Sequence, residues 1–262
     1  MYVGAVQFEA GMDKAENRRT AEARIRDAAA DGVDLIVLPE IWNVGYFNFE
    51  EYASEAEPID GSTMTRLQGL ADELDVYLHT GSIVEADGDD LYNTSGLVSP
   101  EGELLDTYRK VHLFGYESEE SQLLTPGDRV VTVTTEIGTV GLTTCYDLRF
   151  PELYRAMVDR GAELLLITSA WPAARLEHWQ LLNRVRAIES QTFLAAANLT
   201  GTNGGVDLAG QSVVVDPWGI PLANAGTSER TVTASVDLDD VGDVRENFPI
   251  LGDRRIEADY SL

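Results

Sequence analysis

The sequence predicts an α/β fold, and three observations carry that prediction. Segments of strand period and helix period alternate from one end of the chain to the other. No low-complexity linker interrupts them. Two short apolar runs, 35–38 (Leu-Ile-Val-Leu) and 164–167 (Leu-Leu-Leu-Ile), have the length and bounding residues of buried strands and are far too short to span a bilayer. With 262 residues the chain can bury a full core, and we expect one continuous domain over 1–262.

The elements follow in order. The opening Met-Tyr-Val-Gly-Ala-Val-Gln alternates as a first strand and lacks the basic and long apolar regions of a signal peptide. Residues 15–31 carry alanines and Ile25 at helical spacing and stop at Gly32. Residues 34–39 form a buried strand closed by Pro39, and 62–74 a second amphipathic helix. Strands are expected at 76–85, 91–99 and 103–109, joined by Asp-Gly and Pro-Glu-Gly turns. The acidic stretch 85–90 lacks the spacing and terminal glutamate of a cation loop and reads as a hairpin turn. Residues 111–129 are a long irregular segment, a length usual for functional or lid-like loops. Two further strands lead to Cys145, and Pro151 suits the first turn of a helix at 150–160. Strand 163–169, helix 175–191, strand 192–199 and strands near 211–217 and 231–238 follow, with a tail over 248–262.

Charge narrows the function. The net charge is −26, from 45 acidic residues against 17 arginines and two lysines, Lys14 and Lys110. Such a chain repels itself in dilute buffer, whereas at molar salt the Debye length falls to about 3 Å. This surface suits a salt-rich cytoplasm, and it argues against nucleic acid, which needs a basic face. One cysteine excludes an intrachain disulfide. His79, His112 and His178 show no ligand spacing, so no metal and no cofactor is expected, and none of the three is expected to be catalytic.

Three strand ends carry reactive side chains. Glu40 follows the buried strand in Leu-Pro-Glu, Lys110 ends another in Tyr-Arg-Lys-Val-His, and Cys145 ends a third. In α/β sheets functional groups gather outside the carboxyl ends of strands. Converged, the glutamate can take the thiol proton, and the lysine can stabilise both a thiolate and an oxyanion. The competing reading of Cys145 alone is a small buried hydrophobe.

Together these segments resemble the nitrilase superfamily of carbon–nitrogen hydrolases, marked by a Glu-Lys-Cys triad. The resemblance extends to Ser-Ala-Trp-Pro-Ala-Ala-Arg at 169–175, to His178-Trp179, to Arg-Ala-Ile-Glu-Ser-Gln at 186–191, to Asp-Pro-Trp-Gly at 216–219 and to the ending from Pro249. It implies a four-layer α-β-β-α sandwich that dimerises into an eight-layer block, with the tail crossing the interface. It implies Glu40 as general base, Cys145 as nucleophile, and Lys110 with the Tyr146 N–H as oxyanion donors. A second family glutamate matches Glu120 in Glu-Ser-Gln-Leu-Leu-Thr-Pro-Gly, with Glu117 and Glu119 close by. The elbow Cys-Tyr-Asp-Leu-Arg-Phe looks like the ω-amidase-like branch, which implies hydrolysis of a small carboxylated amide through a thioester. Arg149 could then hold the distal carboxylate, or pair internally with Asp147 or a neighbour. Arg175 is a second carboxylate anchor, Tyr46 and Trp171 are apolar walls, and His178 is a pocket residue. His112 is placed to orient the lysine loop. Nitrile or N-carbamoyl hydrolysis, and a catalytically silent binding protein on the same fold, are the alternatives.

Overall fold

Every residue of β1 (Tyr2–Gln7) after the first is buried, and the rest of the fold is built around it. The computed structural model describes residues 1–116, 118–256 and 260. After β1 come α1 (Lys14–Ala30), β2 (Leu35–Val37), α2 (Tyr52–Glu55), α3 (Ser62–Leu74), β3 (Tyr77–Asp87), β4 (Asp90–Val98) and β5 (Leu104–Arg109). The segment after β5 holds one short helix, α4 (Glu120–Leu123). The second half runs β6 (Thr132–Thr135), β7 (Gly138–Thr144), α5 (Pro151–Asp159), β8 (Leu164–Ser169), α6 (Leu176–Ser190) and β9 (Phe193–Asn198). It closes with β10 (Thr202–Asn203), β11 (Val206–Asp207), β12 (Val213–Val215), β13 (Pro221–Asn224), β14 (Arg230–Ser235) and α7 (Asp239–Asn247).

Two six-stranded sheets result, ordered β14-β1-β2-β3-β4-β5 and β13-β12-β9-β8-β7-β6, each with parallel strands at its centre. Period-two alternation sorts the side chains. In β2, Leu35 and Val37 join the core between the sheets, while Ile36, with Leu38 just past the strand, packs with Ile25 of α1 and Leu67 and Leu70 of α3. Each such burial contributes about 1.5–3 kcal/mol. The expected layer order, helices outside two face-to-face sheets, is thus observed.

The start of α3 shows how a lysine is used inside an acidic protein. Its N-cap is Gly61, which has no side chain to offer. The Glu57 carboxylate takes over, accepting the Thr63 N–H at 2.7 Å and the Thr63 hydroxyl at 2.6 Å, with Lys14 Nζ at 2.8 Å. Burial pushes the Glu57 carboxyl up, but the Lys14 and Thr63 bonds outweigh it and bring it down to about 2.

Several small elements were not anticipated: α2, α4, the β10–β11 hairpin, β13 and α7. One-turn helices and two-residue strands are too short to show a period. In α7 only Val241 and Val244 are buried. The strand expected at 211–217 contracts to β12: Gln211 takes a left-handed backbone (φ 58°) before it, and a turn closed by the Gly219 N–H on Asp216 O at 2.9 Å follows it. In the described part of the tail, Phe248 stacks on Trp218 at 5.9 Å, and Arg254 bonds Asp159. Residues 257–259, 261 and 262 lie outside the described residues. Among the described residues no helix is long and apolar enough to cross a membrane.

His79 in β3 pairs with Val37 and Leu97, both in the core between the sheets, and is itself fully buried. Neither ring nitrogen has a hydrogen-bond partner among the described residues, and burial lowers its pKa to about 3. An unfolded histidine titrates near 6.5, so below that pH the unfolded chain takes a proton that the native state refuses. Stability is therefore lost as pH falls from about 6.5 toward 3, by about 1.4 kcal/mol per pH unit from this one site. Urea unfolding in molar KCl at pH 7 and pH 5 should show His79→Leu losing about 2 kcal/mol less than the native protein. Equal losses would assign the pH dependence to other groups.

Candidate active site

Three strand ends meet at one edge of the sandwich. Beyond β2 the chain turns through Pro39 to Glu40, whose N–H donates to Ser169 O at 3.2 Å across the two sheets. The turn is tight because β3 comes up against it: Ser82 N donates to Pro39 O at 3.1 Å. Gly81 (φ 65°) makes room, since a Cβ there would stand 2.2 Å from that same carbonyl. Lys110 continues β5, its N–H on Asn93 O at 2.8 Å and its carbonyl accepting Gly127 N–H at 2.9 Å. Cys145 follows β7 with φ 47°, left-handed for a residue with a Cβ, and opens a 3-10 turn over Cys145–Arg149. Such a conformation costs about 1–2 kcal/mol and presents a side chain at a sharp elbow.

The side chains converge in a fully buried cluster. Lys110 Nζ donates to Glu40 Oε1 at 2.8 Å and to both oxygens of Glu120 at 2.8 and 2.9 Å. Glu120 also accepts the Tyr46 hydroxyl at 3.1 Å and the Phe114 N–H at 2.7 Å. Glu40 Oε2 accepts the Ala170 N–H at 2.9 Å. Asn93 Nδ2 lies 2.9 Å from an oxygen of each carboxylate. One ammonium thus serves two carboxylates. Burial pushes the Glu40 carboxyl up; Lys110 opposes this, and the charge of Glu120 reinforces it. Burial alone would lower the Lys110 ammonium, but the two carboxylates raise it above its ordinary value. Burial and the Glu40 charge push the Cys145 thiol well up, with Lys110 pulling the other way. At rest the sulfur keeps its proton, beside a carboxylate able to take it.

Glu120 is the glutamate that reaches Lys110; Glu119 is exposed, and Glu117 lies outside the described residues. Cys145 lines a cleft whose walls also include Tyr46, Tyr146, Arg149, Trp171 and Arg175. The Tyr146 N–H belongs to the first turn, where backbone donors lack an intrahelical acceptor. The Arg149 guanidinium lies 4.7 Å from the Trp171 ring centre and 5.6 Å from that of Tyr146. Burial lowers its pKa. It does not pair with Asp147, whose carboxylate is engaged by Tyr108, His112 and Thr144. His178 is not among the residues lining the cleft; its Nδ1 stands 3.2 Å from Arg149 Nη1, so it touches the arginine instead. Among the described residues no group of three or more His, Cys, Asp or Glu is placed to hold a metal ion.

Sequence reasoning missed Asn93 and used Asp147 only as a possible partner for Arg149. A signal for Asn93 was present, since asparagine is depleted in strands and Leu-Tyr-Asn-Thr-Ser places one mid-strand.

The carbon-nitrogen hydrolase family profile matches residues 2–246. The chain is 39% identical to the 2-oxoglutaramate amidase of Paenarthrobacter nicotinovorans, over 97% of this chain and 90% of that protein. It is 38% identical to the omega-amidase NIT2 of Homo sapiens, over 95% and 93% of the two chains. The crystal structure of Saccharomyces cerevisiae Nit3, a member of branch 10 of the nitrilase superfamily, superposes with a TM-score of 0.90 at 33% identity, covering 98% and 97%. The chain belongs to the carbon–nitrogen hydrolase family of the nitrilase superfamily.

Removing the cation from this cluster leaves two carboxylates buried side by side. Lys110→Ala should cost about 3–5 kcal/mol of stability at pH 8. Glu40, whose carboxyl burial already pushes up, loses the ammonium that opposed this, so it should take a proton more readily and the cost should ease as pH falls toward 5. Denaturant titrations at the two pH values check this; a cost independent of pH would mean the carboxylates are not left charged.

Proposed function

We propose that this protein hydrolyses the amide C–N bond of a small carboxylated amide, releasing ammonia through a thioester on Cys145. One observation carries the reading: a buried lysine held between two glutamates beside the only cysteine, which lines an open cleft. Cys145 Sγ attacks the amide carbon as its proton passes to Glu40. Lys110 and the Tyr146 N–H hold the resulting oxyanion. Glu40 then protonates the departing nitrogen, the C–N bond breaks and ammonia leaves. A water deprotonated by Glu40 attacks the thioester, and the carboxylic acid and free thiol are regenerated. Losing one oxyanion donor typically costs about 3–4 kcal/mol of barrier. Glu120 touches no substrate in this scheme; it keeps Lys110 charged and aimed.

Arg149 supports the carboxylated substrate. It is a planar fork suited to a carboxylate, it lines the cleft that holds the nucleophile, and no carboxylate among the described residues pairs with it. Arg175 is the second proposed anchor, with Tyr46 and Trp171 as walls. The relatives named for 2-oxoglutaramate and omega-amide hydrolysis point to the same substrate class. We also propose a homodimer. Leu181, Val185 and Ile188 form an exposed apolar row on α6 (54, 40 and 43% accessible), continued by the stacked, half-exposed pair Trp218 and Phe248.

Ammonia release in molar KCl from 2-oxoglutaramate, succinamate, glutamine and a small nitrile, with Cys145→Ala as blank, tests the chemistry. Release from an acidic monoamide, abolished by Cys145→Ala, is expected. Arg149→Ala should raise KM for the acidic monoamide at least tenfold more than for an uncharged amide. Equal losses on both would assign Arg149 to the elbow's structure. Sedimentation should give a dimer that Leu181→Glu dissociates; a native monomer would remove the dimer from the proposal.

A further inference from the structure

Asp147 is a fully buried carboxylate that the proposed reaction leaves unused. It lies two residues beyond Cys145, inside the 3-10 turn. Oδ2 accepts the Thr144 N–H at 2.9 Å and the Tyr108 hydroxyl at 2.7 Å. Oδ1 accepts the His112 N–H at 3.1 Å and faces His112 Nδ1 at 2.7 Å. Tyr108 and His112 stand two residues before and two residues after Lys110. The Tyr108 hydroxyl in turn accepts the Val111 N–H at 3.2 Å. The His112 ring stacks on Phe150, the residue that ends the turn, with centres 3.7 Å apart.

The topology gives these bonds a purpose. Lys110 ends β5 and Cys145 ends β7, and those strands belong to different sheets. No ladder hydrogen bond therefore fixes the ammonium relative to the sulfur. Apolar packing between sheets holds their distance but is non-directional, so it tolerates small slides. Three directional bonds from the lysine's segment do not: the Tyr108 hydroxyl before the lysine, and the His112 N–H and ring nitrogen after it, meet a carboxylate that a fourth bond, from the Thr144 N–H, fixes within the nucleophile's elbow. A carboxylate suits this role because it is acceptor-only and meets four donors.

We propose that Asp147 is a positioning residue that sets the separation of the Cys145 sulfur and the Lys110 ammonium, acting through Tyr108 and His112. The proposal rests on the reading of Cys145 as nucleophile and Lys110 as its oxyanion partner. Misplacing reacting groups by about 1 Å can cost on the order of 100-fold in rate.

The test uses Asp147→Asn, Tyr108→Phe and Cys145→Ala, each assayed for 2-oxoglutaramate hydrolysis, alkylation of the thiol by iodoacetamide across pH, and folding by circular dichroism. An asparagine would turn its NH₂ toward donors, breaking one side of the clamp. Asp147→Asn should lower kcat about 100-fold with KM within threefold of native. Its alkylation should slow at least tenfold, with the pH of half-maximal rate shifted upward as Lys110 loses its hold on the thiolate. Tyr108→Phe should show the same pattern at about tenfold, and the double variant should be no slower than Asp147→Asn alone. Folded Asp147→Asn or Tyr108→Phe with kcat and alkylation within twofold of native would overturn the clamp, as would a loss confined to KM. Should Asp147→Asn not fold, Tyr108→Phe and His112→Gln decide by the same criteria. Turnover surviving in Cys145→Ala would sink the underlying reading instead, and alkylation reports on the clamp even if 2-oxoglutaramate is not the substrate.

Discussion

A single buried ammonium between two buried carboxylates is the constraint around which this molecule is arranged. Two carboxylates this close cannot both ionise cheaply in a dry interior, and one cation neutralises only one of them. The inequality is resolved by unequal solvation. Glu120 receives Lys110 on both oxygens together with a phenol, an amide side chain and a backbone N–H. Glu40 receives Lys110 and Asn93 on one oxygen and a single backbone N–H on the other. Burial then pushes the Glu40 carboxyl up. The less-solvated carboxylate is the one beside the sulfur, which is where a proton acceptor of intermediate strength is useful.

Holding that cluster requires both halves of the sandwich. Glu40 and Lys110 come from one sheet and Cys145 from the other, so their geometry is set by cross-sheet bonds rather than by either ladder. Glu40 is tied to the second sheet twice, through its own N–H on Ser169 O and through the Ala170 N–H on its carboxylate. Bonds of this kind make the core specific where packing alone would make it only stable. They also explain where the two lysines go. Lys14 joins Glu57 at the N-terminus of α3 and Lys110 joins the site, each placed against carboxylates the fold has withdrawn from water.

Much of this was legible in the chain. The long periodic elements, α1, α3, α5 and α6 with β1, β3, β4, β5, β8 and β9, follow from apolar spacing because burial enforces that spacing over several turns or pleats. The hairpin at 85–90 read correctly because Asp-Gly chemistry is local, and Gly88 takes φ 63° there. What was illegible is short or cooperative. No period exists in a four-residue helix such as α4. The layer order came from resemblance, and periodicity shows neither the strand order nor which strand ends meet. Asn93 and Asp147 carry no chemistry of their own; their importance appears only once the groups they hold are in place. Glu120 was separable from Glu119 only by which side chain turns inward.

Arg149 is where charge balance speaks about the substrate. Acidic residues outnumber arginines and lysines 45 to 19, so an arginine has every statistical opportunity to find a carboxylate. Its neighbour along the chain, Asp147, is consumed by other donors, and the guanidinium instead lies against the rings of Trp171 and Tyr146 and the His178 imidazole. Aromatic rings orient a guanidinium without neutralising it. A partly buried cation with no paired carboxylate among the described residues is costly on its own, and its cost falls when an anion arrives. Placed in the same cleft as the sulfur, that anion would have to be part of whatever molecule presents its amide to Cys145.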